Sequence, residues 1–390
     1  MIINGKRALA YVQTINNIQP IEGADNIELV HVNAWPLIAL KGEFKDGDKC
    51  VYIEIDSKVP EDNEAFAFLA SKKFKVKPYK LGKFNVVSMG LALPLEKLGI
   101  ESDIEINTDL TDRLGITYYV AEDNKRKAND PRICRFADYK KKHSRFYNLR
   151  IVKWLMRFAW FRNWQLKRHG GAKQKPWPTH LVSKTDEERV QNMPWVLEDK
   201  GEFVVTEKID GTSTTVVVER VGRNKFKEYI CSRNVCFSRN PNAKVFENND
   251  NIYVANAERY KMVEHLTEYL KEHPNLKFAC IQGESYGEGW QGNPLKMKGT
   301  DFAAFNFKTD EGRLGSAEGK KLLAGWGIPW VPIIDEHYIL PDTVDELIEA
   351  ATGPSALNKN VLREGWVIRK PDGTLSFKAV STKYLLKKGE

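Results

Sequence analysis

Residues 202–220 read EFVVTEKIDGTSTTVVVER, and no other stretch limits the possible folds of this chain so strongly. β-Branched residues crowd both halves; a helix would freeze their side chains against the preceding turn, whereas a pleated strand accommodates them. Asp210-Gly211 between the halves is a turn signal, so the sequence predicts strands over 203–207 and 213–220 joined as a hairpin. Lys208 then sits at the mouth of that hairpin. A lysine at a strand end is ordinarily a solvated edge residue, and K-x-D-G alone is a weak signal.

The surrounding chain has three textures. From residue 6 to about 107, short alternating runs (RALAYVQTI, IEGADNIELVHV, CVYIEI, KFNVVSMGLALPL) are broken by turns such as KDGD. That spacing predicts a small all-β barrel over 1–107, of OB type, with an SH3-like barrel leaving similar traces. Residues 108–178 form a basic linker in which Ser144 to Arg168 carries apolar side chains at near-helical spacing until Gly170-Gly171. A third region over 179–390 predicts further strands at 278–284, 302–307, 364–369 and 374–380, and a helix over 258–273 with Val263, Leu266 and Leu270 on its buried face. The whole is an α+β protein.

Charge is concentrated rather than spread. The chain has a net charge of +8, yet residues 131–175 alone hold fourteen Lys or Arg against the single acid Asp138. Such a stretch, with Phe146, Tyr147, Trp154, Phe158, Trp160, Phe161 and Trp164 interleaved, points to a nucleic-acid partner, to a packed connector between domains or to an anionic membrane surface. The amino terminus MIINGKRALAYV lacks the apolar core of a secretory peptide, and no uncharged apolar run approaches the length of a membrane span, so a cytoplasmic protein is expected. Five cysteines form no C-x-x-C and seven histidines no ligand spacing, which argues against structural zinc.

Downstream of Lys208 come CSRN (231–234), IQGESYG (281–287), DFAAFNF (301–307), REGWVIRK (363–370) and LSFKAVSTKYLLK (375–387), in that order. K-x-D-G, an arginine, E-S-Y-G, an aromatic strand, E-G-x-V and a terminal lysine strand resemble the motif order of the covalent nucleotidyltransferases, the superfamily of ATP-dependent RNA and DNA ligases and capping enzymes. Thr212 and Ser213 after the glycine, KTDEERVQN at 184–192 and the barrel-like amino-terminal region are similar to the RNA ligases that carry an OB domain ahead of the ligase module.

The resemblance implies a carboxy-terminal nucleotidyltransferase domain of ATP-grasp-like antiparallel sheets with helices. It also implies ATP with Mg2+ or Mn2+, and RNA with 5′-phosphate and 3′-OH ends, as at a nicked duplex. A monomer free of membranes is expected. Lys208 would be the nucleophile, Lys378 the second catalytic cation and Asp210 a positioning acid. Neighbouring cations would lower the Lys208 pKa, since an attacking amine must be neutral. Glu364 would hold metal, and Glu284 metal or the ribose. Phe305 and Val367 would sandwich adenine, and the Glu207 backbone would read its edge. Arg233 and Arg189 would bind phosphate, and Lys383 would replace the second lysine of the last motif, where this chain has Val380. A DNA ligase, a capping guanylyltransferase or an inactive RNA-binding relative remains open on sequence.

Overall fold

The structure, a computed structural model, describes residues 1–3, 6–119, 136, 139–169, 174–175, 177–237 and 251–389. Cys134, the cations Arg132, Arg135 and Lys173, Asp138 and the Gly170-Gly171 helix stop lie outside the described residues.

The amino-terminal strands curl into the expected OB-type barrel. Five antiparallel strands run in the order Leu91–Pro94, Lys49–Ile53, Ala10–Pro20, Ile27–Val32, Trp35–Leu40. The long strand from Ala10 serves both neighbours because it turns at Asn17 (φ 55°), where its register with Ile27–Val32 shifts; asparagine tolerates that left-handed backbone better than most residues. Alternation along this strand feeds two cores. Tyr11 and Ile15 meet Trp35, Leu37 and Tyr52 on one face, while Ala10 and Val12 meet Phe66, Leu93 and Leu110 on the other. The second core continues through Leu114 and Ile116, past the expected boundary at 107. The first is completed by Val380 and Leu385 from the far end of the chain.

Residues 144–169 fold as three short helices, Ser144–Tyr147, Arg150–Leu155 and Ala159–His169, rather than one run. Leu149 is extended (ψ 136°) and interrupts the first two. They enclose a small core of their own, where Phe136, Tyr147 and Val152 pack together and Tyr147 Oη donates to Gln165 Oε1 at 2.9 Å.

The carboxy-terminal part is built on two sheets. A seven-stranded antiparallel sheet runs Gln174–Lys175, Cys236–Phe237, Lys225–Cys231, Thr212–Gly222, Phe278–Gly287, Thr300–Thr309, Gly312–Arg313. A five-stranded sheet runs Glu188–Arg189, Ser376–Val380, Gly365–Arg369, Glu202–Lys208, Ile333–Ile339, antiparallel except for its first pair. Here the hairpin expectation fails. Glu202–Lys208 pairs with Gly365–Arg369 and Ile333–Ile339, whereas Thr212–Gly222 pairs with Lys225–Cys231 and Phe278–Gly287. Ile209-Asp210-Gly211 therefore crosses from one sheet to the other. Glycine is required at 211 because a Cβ there would strike Ser285 O and the Glu284 side chain.

The helix expected over 258–273 is two helices, Ile252–Arg259 and Met262–Glu272, broken where Lys261 adopts φ 45°. The break lets Val254 and Ala257 of one and Met262, Leu266 and Leu270 of the other pack on the same face of the seven-stranded sheet. Val263, Leu266 and Leu270 are buried as the periodicity predicts. Among the described residues no helix is long and apolar enough to cross a membrane.

Candidate active site

A cleft of about 710 Å³ opens between the two sheets, with the barrel along one rim. Lys208, at the end of its strand, points into it. Its neighbour across the sheet is Gly365, preceded by Glu364, so the two motifs meet through strand pairing, and Lys208 Nζ lies 3.0 Å from Glu364 Oε2. Gly365 (φ 157°) is held so close to Ala379 O that no side chain fits. That close approach sets the Glu364 strand against the strand bearing Lys378.

The charge around Lys208 is opposite to the sequence expectation. Burial would favour the neutral amine, but Glu364, Glu284 and Asp210 outweigh it and hold the pKa above the ordinary lysine range. Lys208 rests as an ammonium because its nearest charged partners are carboxylates rather than cations.

Lys378 behaves as the depressed lysine instead. Its amine is pushed down to about 8 by burial, with Arg7, Arg189 and Lys208 repelling its charge and Asp186 opposing them. Asp186 Oδ1 accepts from Lys378 Nζ and Asp186 Oδ2 from Arg233 Nη2, each at 3.0 Å. Burial would raise the Asp186 carboxyl, yet Lys378 and Arg233 bring it down to about 2. One carboxylate thus fixes two cations at the cleft wall.

Glu284 comes from the central strand of the other sheet. Its carboxyl is pushed up to about 8 by burial, Lys208 pulling it down and Glu364 and Asp210 pushing it up. It is therefore largely protonated at neutral pH. Asp210, in the crossing segment, accepts from Tyr384 Oη and from Lys388 Nζ at 2.6 Å. Phe305 and Val367 both line the cleft. Each is fixed by a neighbour: Phe305 O accepts from Arg369 Nη1 at 2.8 Å and Val367 O from Thr206 Oγ1 at 3.3 Å. Arg369 is itself held by Glu187 at 3.0 Å.

Glu207 also borders the cleft, but its carboxylate braces the 355–356 segment, accepting from Ser355 Oγ and from Ala356 N at 2.7 Å. Its backbone N–H donates to Pro332 O at 2.9 Å, which removes that donor from base recognition.

Two expected residues do not reach the cleft. Lys383 is exposed and pairs with Glu349 at 3.3 Å. Arg189 is buried behind Lys378, its strand neighbour, with its guanidinium 5.5 Å from the Trp35 ring and Nε and Nη1 without hydrogen-bond partners among the described residues. Cleft residues missed by the sequence reading include Asp186, Arg7, Tyr384 and Lys388. Asp186 lies in the KTDEERVQN stretch singled out above, three residues before the arginine chosen there. Arg7 comes from the barrel, anchored 2.8 Å from Glu54, and nothing in its local sequence marks it.

No three His, Cys, Asp or Glu side chains converge as a ready metal cage among the described residues. The oxygen donors at the cleft are the carboxylates Glu364 and Asp210 beside one lysine, with Glu284 held towards its acid form. That suits a hard divalent cation such as Mg2+, which binds through one or two carboxylates and keeps much of its water.

A family profile described as RNA ligase matches residues 201–385, and one described as an OB-fold domain matches residues 9–95. Among solved structures, the chain is similar to Naegleria gruberi RNA ligase with PPi at 32% identity, covering 98% of this chain and 99% of that one, with a TM-score of 0.74. A mutant of that enzyme with ATP and Mn matches at 32% identity, 98% and 99% coverage and TM-score 0.74. Another, with AMP and Mn, matches at 32% identity, 98% and 100% coverage and TM-score 0.73. No curated protein matches the chain.

Proposed function

We propose that this chain, which belongs to the RNA ligase family, uses ATP to join RNA 5′-phosphate and 3′-OH ends through a lysyl-AMP at Lys208. The observation that carries the reading is the half-buried Lys208–Glu364 pair at 3.0 Å, on a cleft floor whose walls present Lys378, Arg233 and Arg7. A structural ion pair has no need of three further cations facing the same space. Nucleotide phosphates do.

Three transfers follow. Lys208 Nζ, after losing a proton, attacks the α-phosphorus of ATP; a P–N bond forms and the bond to pyrophosphate breaks. An oxygen of the RNA 5′-phosphate then attacks the same phosphorus, which breaks the P–N bond and gives AppRNA. The 3′-OH attacks the 5′-phosphorus, loses its proton and releases AMP, and nicks are the simplest substrate because both ends are already aligned.

Glu364 holds the resting Lys208 by its proton and orients it. A divalent cation bound at Glu364 and Asp210 would neutralise their charge and that of the triphosphate. Lys378 and Arg233, fixed by Asp186, face the charge that develops on the phosphate oxygens. Phe305 and Val367 bracket a planar base, the Glu207 carbonyl faces its edge, and Glu284, carrying its proton, donates to a ribose hydroxyl. Arg189 acts from behind by repelling charge at Lys378.

Incubation with α-labelled ATP and Mg2+ or Mn2+, followed by a denaturing gel, tests the first transfer. Wild type should retain label and Lys208→Ala none. Label from GTP would indicate a capping enzyme. No label with either metal, or label on another lysine, would overturn the reading.

A further inference from the structure

We propose that the helical segment 139–169 is a platform for single-stranded RNA. The segment contains ten Lys or Arg and no Asp or Glu, so nothing within it neutralises its charge. Its aromatic residues do not serve to join the two domains. Trp160 is 63% exposed, Trp154 54%, Phe146 48%, Trp164 47% and Phe158 40%, while the small internal core uses Phe136, Tyr147 and Val152 instead. Five large rings held in water among so many cations are costly for a connector and useful for stacking unpaired bases.

The arrangement of those rings separates RNA from a membrane. A helix lying in a bilayer surface divides into an apolar face and a charged face. On Ala159–His169 the exposed residues are Ala159, Trp160, Arg162, Asn163, Trp164 and Arg168, with the Arg168 guanidinium 5.4 Å from the Trp164 ring. Trp160, Trp164 and Arg168, at i, i+4 and i+8, put rings and a cation on one face, as bases beside phosphates require. A duplex would offer the rings no free base faces.

The described chain before and after the segment borders the cleft. The chain leaves the barrel at Tyr118 and Tyr119, which line the cleft. It returns at Gln174–Lys175, which pairs with Cys236–Phe237 on the far side of the loop carrying Arg233. Trp177 Nε1 donates to Ser232 O in that loop at 2.9 Å.

The inference takes from the proposed function only that the nucleic acid is RNA, and its test keeps the two apart. The intact protein is titrated into a labelled single-stranded RNA of about 20 nucleotides, across a range of salt, with fluorescence anisotropy as readout. Replacing Arg145, Arg150, Lys153, Arg157 and Arg162 by Gln should reduce the slope of log K against log salt by up to about 3.5, at about 0.7 for each cation. Trp154→Ala, Trp160→Ala and Trp164→Ala should each weaken binding about tenfold without changing that slope. Both sets should keep ATP labelling and the wild-type melting temperature. Unchanged affinity and slope in both sets would overturn the platform. So would loss of binding to phosphatidylserine vesicles with RNA affinity intact, which would make the segment a membrane anchor. Absence of ATP labelling in wild type with RNA binding intact would refute the ligase reading alone.

Discussion

Asp186→Asn removes the one carboxylate that secures both Lys378 and Arg233 without touching the nucleophile. In wild type the Lys378 amine stands at about 8, with Asp186 the partner that keeps it from falling further. The pair is 3.0 Å long and Lys378 is 9% exposed, so its loss costs Lys378 several kcal/mol before water relaxes into the gap. Taking about 2.7 kcal/mol as the part that survives relaxation, at about 1.36 kcal/mol per pH unit, the amine moves to about pH 6. At pH 7 the charged fraction of Lys378 then drops from about nine-tenths to about one-tenth. If the ammonium form stabilises the transition state, the ratio of variant to wild-type labelling rates is near unity at low pH. It falls to about 0.1 at pH 7 and levels off near about 0.01 above pH 8. Lys208 deprotonation cancels in the ratio, and any loosening of Arg233 scales it without bending it. Single-turnover labelling with saturating ATP and Mn2+, from pH 5.5 to 9, measures this curve. A ratio that stays constant across that range would refute the argument that Asp186 works by setting the charge of Lys378.

Glu284→Gln should raise the melting temperature relative to wild type by an amount that is small below about pH 4.5, grows with pH, and flattens above about 8. The folded carboxyl is raised to about 8 from 4.5, so stability associated with its proton is lost as pH climbs through that window; a difference that does not vary with pH would contradict it. Trp35→Ala should cost about 3–5 kcal/mol in urea unfolding. Trp35 is 1% exposed, stacks on Tyr52 and donates to Asn192 Oδ1 at 2.6 Å across the boundary between barrel and ligase domain. A loss below about 1 kcal/mol would mean that the contact between the two is not part of one cooperative unit.

Lys208, Glu364 and Lys378 were legible because each belongs to a motif whose order along the chain is itself informative. Their partners were not. Asp186 is chosen for Lys378 by the parallel pairing that brings Glu188–Arg189 beside Ser376–Val380, and no local signal encodes that pairing. Lys388 took the place beside Asp210 that the sequence offered no reason to give it, while Lys383 faces outward to Glu349. Composition showed strands on both sides of Asp210-Gly211, but a turn signal says where the chain changes direction, not which strand it will pair with. The collision waiting at Gly211 depends on Ser285, over seventy residues away. Aromatic spacing over 144–169 likewise marked helix, and could not tell rings facing a core from rings facing water.

The shared core of the barrel has a consequence for how the chain is made. Tyr11, Trp35 and Tyr52 are translated early, yet the cluster they build is finished by Val380 and Leu385. At about 5–20 residues per second, synthesis from Pro94 to Val380 takes about 15 to 60 s. During that interval the nascent barrel stands on the ribosome with one apolar face uncapped, open to chaperones and to neighbouring chains. The same residues that close it belong to the strand of Lys378 and the helix of Tyr384. Completion of the barrel and assembly of the reactive cleft therefore wait for the same strand and the same helix.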